Sequence, residues 1–249
     1  MKPDGSLQSF TLDERNKLPA SVVQLVDKEL ATWKFKSIAI DGEPEQATTR
    51  MSLRVVESEQ GDGPYHDLRI RGVSFGDSGA TSTTSVTFNE RKAPEYPGEA
   101  VKAAVSATVY LVLEIGRDGQ VRDVIAQQVN VRAIGAPWLI RAARAAFADA
   151  SVAAAKNWTF NVPVEGPLVN ADHWTVRVPV NFVLLHPNGV VMEGEPKYGE
   201  WDTYTPGPVQ PIPWEQDQVA DGNNADAIAN NGELFLLDDR FVLVTPVGG

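Results

Sequence analysis

The chain has 249 residues, 43% hydrophobic and 22% charged, a balance that supports folded cores and leaves room for two domains of ordinary size. With 33 acidic against 22 basic residues the formal net charge is −11, so phosphate backbones would be repelled and no nucleic acid partner is expected. No run approaches the roughly 20 consecutive apolar residues of a membrane helix, Met1-Lys2-Pro3-Asp4-Gly5 lacks the apolar core of a signal peptide, and zero cysteines exclude disulfides and thiolate chemistry.

Taken in chain order, the elements form a repeat. Asp4-Gly5-Ser6-Leu7 reads as a hairpin turn, because the glycine can adopt the positive φ of a primed turn. A helix follows over residues 19–32, with Val22, Val26, Leu30 and Trp33 on one face. Then come Trp33-Lys34-Phe35, the turn Asp41-Gly42-Glu43-Pro44 and the alternating run Met51-Ser52-Leu53-Arg54-Val55. Residues 65–75 read as an extra strand, and the Gly/Ser/Thr-rich residues 76–85 as a loop or linker.

The same order then returns. Residues 107–115 supply an outgoing strand, Asp118-Gly119-Gln120-Val121 the turn and residues 121–131 the return. Pro137 suits the first turn of a helix whose face is Phe147, Ala150, Ala154 and Trp158. Trp158-Thr159-Phe160, the turn Glu165-Gly166-Pro167 and the alternating run of residues 176–182 complete the copy. Both tryptophans read as core. The expectation is an α+β fold of two tandem domains, each a small antiparallel sheet packed with a helix, over residues 1–85 and 86–186, with a C-terminal extension over 187–249. The first copy lacks its opening strand, which would lie before Met1, so the chain reads as trimmed, with any signal or membrane anchor in a segment absent from it.

Pro94-Glu95-Tyr96-Pro97, the strand at 109–115, Asp118-Gly119, the return at 121–124 and Trp158-Thr159-Phe160 together resemble the C-terminal domain of TonB-family energy transducers. The likeness covers most of residues 94–185 and, more weakly, residues 4–56. It implies a non-enzymatic periplasmic adaptor in transport and energy transduction, which takes up an extended segment of an envelope protein, such as a TonB-dependent outer-membrane receptor, as an added β-strand. The implied docking edge is the last strand, residues 173–185, so the partner-binding residues are Glu95, Tyr96, Pro97, Val176, Arg177, Val178 and Val180. Glu95 stands where the family often has glutamine, Ala107 where glycine is usual, and Pro179 removes one donor from the proposed edge. A structural envelope protein that keeps the fold without strand docking is the alternative, and exposed edges would equally support a homodimer.

Other motifs carry less. Gly72-Val73-Ser74-Phe75-Gly76 matches the nucleophile elbow of serine hydrolases, a remote alternative that requires a helix after Gly76 and a histidine near Ser74. His66, His173 and His186 have no metal-ligand spacing, and the Asn/Asp stretch at 221–231, which lacks the glycine of an EF-hand loop, reads as solvated loop. No catalytic residue, metal or cofactor is expected. In the extension, Trp201, Tyr204 and Trp214 lie among prolines, which suits either a polyproline II ligand segment or, as the favoured reading, an extension that lays its aromatics on the domain surface. Residues 234–237 and 241–244 are strand-like, and pairing of this run with the second domain would occupy the site a receptor segment needs.

Overall fold

The computed structural model describes residues 1–40, 43–44, 46–58, 67–76, 83–133, 135–166, 168–184, 198–215, 225–228, 232–237 and 241–246. In chain order these form α1 (Ala20–Leu30), the two-residue strands β1 (Ala39–Ile40) and β2 (Glu43–Pro44), the pair β3 (Met51–Ser58) and β4 (Asp67–Phe75), β5 (Thr87–Glu90), α2 (Gly98–Lys102), the long hairpin β6 (Ser106–Gly116) and β7 (Val121–Arg132), α3 (Pro137–Ala155), β8 (Thr159–Asn161), β9 (His173–Phe182) and β10 (Phe235–Leu236). All strand pairings among the described residues are antiparallel, so the fold is mixed α+β. The expected turn residues Asp41 and Gly42 lie outside the described residues; β1 and β2 pair on either side of them.

The largest sheet has the order β10–β9–β6–β7. Its axis is β6, which pairs with β7 on one side and along the whole of β9 on the other. The turn joining β6 to β7 needs a left-handed residue, and Gly119 provides one at φ 74°. Val109, Leu111, Leu113 and Ile115 of β6, with Val176, Val178 and Val180 of β9, form a core against Phe147 and Trp158. Helix α3 begins at Pro137, where the missing N–H loses no bond. Its buried stripe is Ile140, Phe147, Ser151 and Ala155, one residue out of phase with the expected Ala150 and Ala154. Ser151 is tolerated inside because its hydroxyl donates to the carbonyl of Phe147 at 2.8 Å.

An antiparallel sheet usually leaves one face to water. Here β6 is buried on both faces, Glu114 alone being part exposed. Behind the core face, Tyr110 packs with Ala225, Ile228 and Phe235 from the C-terminal extension. The expectation of a solvated loop therefore fails for residues 225–228, which are buried.

The first 75 residues repeat local geometry of the second half. Gly5 has φ 77°, its amide donates to the carbonyl of Lys2 at 3.0 Å, and its carbonyl accepts from the amide of Phe35 at 2.9 Å. Gly119 likewise donates to Gly116 at 2.9 Å and accepts from Phe160 at 2.8 Å. The bridge Ser6–Lys34 matches Gln120–Thr159. Val22, Val26 and Leu30 of α1 are buried ahead of Trp33, as Phe147, Ser151 and Ala155 are ahead of Trp158. Phe35, Phe75 and Phe241 pack their rings together in the first core, with centroids 5.8 and 6.1 Å apart, so the C-terminal run contributes to both halves.

A Cβ at Gly5 or Gly119 would overlap the carbonyl oxygen of Phe35 or Phe160, and both glycines are left-handed. Gly5→Ala and Gly119→Ala are each expected to lower stability by more than about 1 kcal/mol in urea unfolding. An unchanged midpoint for either would remove the equivalence drawn between the two turns.

Candidate functional site

The residues expected to form a docking edge fall into two groups. Tyr96 is half-buried: its hydroxyl donates to the carbonyl of Val105 at 2.7 Å and its ring meets Phe147 and Phe182 edge-on, at 5.6 and 5.5 Å. That makes Tyr96 a wedge between α3 and β9. Pro97 precedes α2 as its N-cap residue, and Glu95 is exposed. On β9 the side chains of Val176, Val178 and Val180 point into the core and are at most 3% exposed.

The edge of β9 is not open at Val176 and Arg177. β10 pairs there, Phe235 opposite Arg177 and Leu236 opposite Val176, and the amide of Leu237 donates to the carbonyl of Thr175 at 3.0 Å. With β6 on its other side, this stretch of β9 is flanked by the same polypeptide on both edges. The expectation of a free ribbon at these two residues is corrected accordingly: strand-forming residues late in the chain satisfy donors and acceptors that a foreign peptide would otherwise meet. Arg177 makes no outward contact surface either. It is fully buried, donating from Nε to Gln127 Oε1 at 3.0 Å and from Nη1 to Ser74 Oγ at 3.2 Å. Burial pushes its pKa down to about 10.

The opposite edge of the sheet is covered as well. Thr205 bridges Val131 with reciprocal main-chain bonds of 2.8 and 3.2 Å, and the amide of Gln210 donates to the carbonyl of Gln127 at 2.8 Å. Gly207 passes so close to β7 that a Cβ would overlap the carbonyl of Val129. Arg144 of α3 clamps the segment, donating from Nη2 to the carbonyls of Thr205 and Pro206 at 3.1 and 2.7 Å. The extension thus lies on the domain, Tyr204 turned in and Trp214 donating to Thr175 Oγ1 at 3.2 Å, while Trp201 is exposed.

A polar knot sits under the extension. The carboxylate of Asp226, its side chain 1% exposed, accepts from Gln128 Nε2 at 3.0 Å, Asn130 Nδ2 at 2.9 Å and the hydroxyl of Tyr204 at 3.2 Å, and pairs with Arg54 Nη1 at 3.0 Å. Burial first, then the negative charge of Asp226, holds the Tyr204 phenol above its ordinary range. Burial does the same for Tyr110. These groups were hidden in the sequence: Asp226 lies in a stretch that reads as loop, and Gln128 and Asn130 are two polar residues in a strand. Their alternation, together with an arginine in the apolar run of β9, was the available signal that a polar partner covers this face.

Ser74 of the elbow match is 3% exposed in β4. Its hydroxyl oxygen accepts from Nη1 of the Arg177 guanidinium, which has no lone pair to take a serine proton. Residues 77–82, where the elbow helix would follow, and His66 and His186 lie outside the described residues. His173 Nδ1 is 4.0 Å from Glu114 Oε1. Among the described residues no group of three His, Asp or Glu side chains could hold a metal, and no helix is long and apolar enough to cross a membrane.

No family model, no curated protein and no solved structure matches the chain.

Removing the Asp226 carboxylate strands the part-buried Arg54 guanidinium of the first half, two amides of β7 and the Tyr204 hydroxyl of the extension. Asp226→Ala is expected to cost about 3 kcal/mol or more in urea unfolding and to speed amide exchange in β3 and β7 together. A loss under about 1 kcal/mol would show that water replaces the carboxylate at this site.

Proposed function

We propose that this is a non-enzymatic periplasmic adaptor built from two tandem TonB C-terminal-like domains, in which the C-terminal run stands where an envelope partner's segment would dock. The observation that carries the reading is the β10–β9 ladder, an added strand on the edge that the family likeness assigns to the receptor. The order of β6, β7, α3 and β9, the Gly119 turn and the seat of Tyr96 beside β9 support it. In this reading a receptor segment gains access to Val176, Arg177 and the rest of the edge by displacing residues 235–237. Transport and energy transduction follow as roles of the partner it then holds. The structural alternative, a protein of the same fold whose edges are permanently closed, draws its support from the same paired edge at Val176 and Arg177 and from the complete burial of Arg177 beneath the first half of the chain.

Leu237→Pro separates the two, since it removes the donor to Thr175 without touching either core. One main-chain hydrogen bond is worth about 0.5–1.5 kcal/mol, so the variant should retain an outer-membrane receptor from a membrane fraction roughly two- to twelvefold better than the parent chain. Bound receptor should also slow amide exchange around Val176. Retention by neither protein would leave the structural alternative standing.

A further inference from the structure

Helix α3 turns one side, Ile140, Phe147, Ser151 and Ala155, to the core, and the side that faces away carries a second pattern. Trp138, Arg141, Ala145, Asp149 and Val152 follow one another at intervals of three, four, four and three, which places them on one helical face opposite the buried stripe. Trp138, Arg141, Ala145 and Asp149 are exposed, and Val152 is half-buried. At 66% exposed, Trp138 is the most open large hydrophobic side chain among the described residues, whereas Trp158 just beyond the same helix is fully buried.

The two charges on this face do not serve the helix itself. Eight residues of helical rise hold Arg141 and Asp149 about 12 Å apart, too far to pair with each other. No acidic residue stands three or four positions from Arg141 and no basic one from Asp149, so neither has a partner along the helix. Among the described residues neither takes part in an ion pair. Arg144 differs: its guanidinium turns to the flank of the helix, where it holds the carbonyls of Thr205 and Pro206.

The spacing reads the same in both directions from Ala145. Two copies of α3 laid antiparallel about a two-fold axis at Ala145 therefore meet with Trp138 on Val152, Arg141 on Asp149 and Ala145 on its own counterpart. Each apolar group then faces an apolar group and each charge its opposite, twice over by symmetry. Ala142 and Ala145 present only methyl groups at the crossing, so the axes can approach to the near end of the usual range of about 8–10 Å. We propose that this outer face of α3 is the interface of a symmetric homodimer, its occupant being the same face of a second copy of the chain. The self-complementary order of charges selects a second copy and also fixes the register: a slip of one turn either way sets both charges against alanine or proline. A single helix pair is smaller than the standard interface of about 1,600 Å², so the dimer is a weak one that dissociates between micromolar and millimolar concentrations. It uses no strand edge and does not rest on docking at β9.

The test is sedimentation equilibrium of the full chain in about 0.15 M salt, where repulsion between two chains of net charge −11 is screened beyond about 8 Å. A monomer–dimer equilibrium is expected. Arg141→Asp sets two carboxylates against each other at both ends of the interface, Asp149→Arg sets two guanidinium groups there, and each should weaken self-association about tenfold or more. An equimolar mixture of the two variants restores both pairs and should dimerise like the parent chain, which variants that had lost their fold could not do. The chain has no cysteine, so Ala145→Cys gives one thiol at the axis and should yield a disulfide-linked dimer on mild oxidation. Ala153→Cys, whose counterpart would lie about 24 Å away along the pair, should not. Leu237→Pro should leave association unchanged. A chain that stays monomeric up to millimolar concentration, charge variants that associate as the parent does, a mixture that remains monomeric, or equal cross-linking from positions 145 and 153 would each overturn the proposal. So would a dimer that responds to Leu237→Pro and ignores the charge variants, as one joined through strand edges would.

Discussion

The Asp226 carboxylate gathers groups from three distant parts of the chain: Arg54 from β3, Gln128 and Asn130 from β7, and Tyr204 from the extension. A buried charge is expensive unless its lone pairs are occupied, so these partners must be present together for any one of them to be buried there. The knot therefore couples the order of the extension to the packing of the first half on the second. It also accounts for the burial of β6 on its second face, because Tyr110 packs against Ala225 and Ile228, which stand beside Asp226 on the same segment.

Around this point the extension acts as a supplier of main-chain partners. Residues 205–210 take the edge of β7, residues 235–237 take part of the edge of β9, and Val242 and Val244 exchange bonds with Lys34 and Lys36 in the first half. An uncovered edge invites pairing with any strand in reach, and the chain meets that hazard with its own tail. Proline suits such a tail: Pro206 and Pro208 flank the residue that approaches β7 most closely, and their missing donors are not called on there. Pro179 on β9 lies beyond the two rungs that β10 occupies, at a position whose lack of an N–H limits what any strand could gain there.

Much of this architecture was legible from local chemistry. Asp-Gly turns, the period of the helix ahead of each tryptophan and the alternation of 51–55 and 176–182 report constraints that act within a few residues, and they placed the hairpins, helices and β9. The helical phase of α3 was misread because alanine is equally at home on either side of a stripe, and the decisive residue was a serine satisfied by its own backbone. What could not be read were encounters over long separations. Nothing local to Phe235 or Leu236 specifies β9 as their neighbour, and nothing local to Asp226 specifies burial in place of solvation. The burial of the Arg177 side chain was illegible for the same reason: an arginine in an edge strand usually faces water, and here Ser74 from the first half of the chain meets it.

The bond from the amide of Lys34 to Thr245 Oγ1 spans 211 residues. During synthesis the first helix and its tryptophan leave the ribosome long before the segment that closes their core with Phe241. Until residues 225–235 are released, the face of β6 that carries Tyr110 stays open to water. The order of the chain thus delays assembly of the whole until residues 225–245 have been made, and contacts of such long range make this step slow compared with formation of the β6–β7 hairpin.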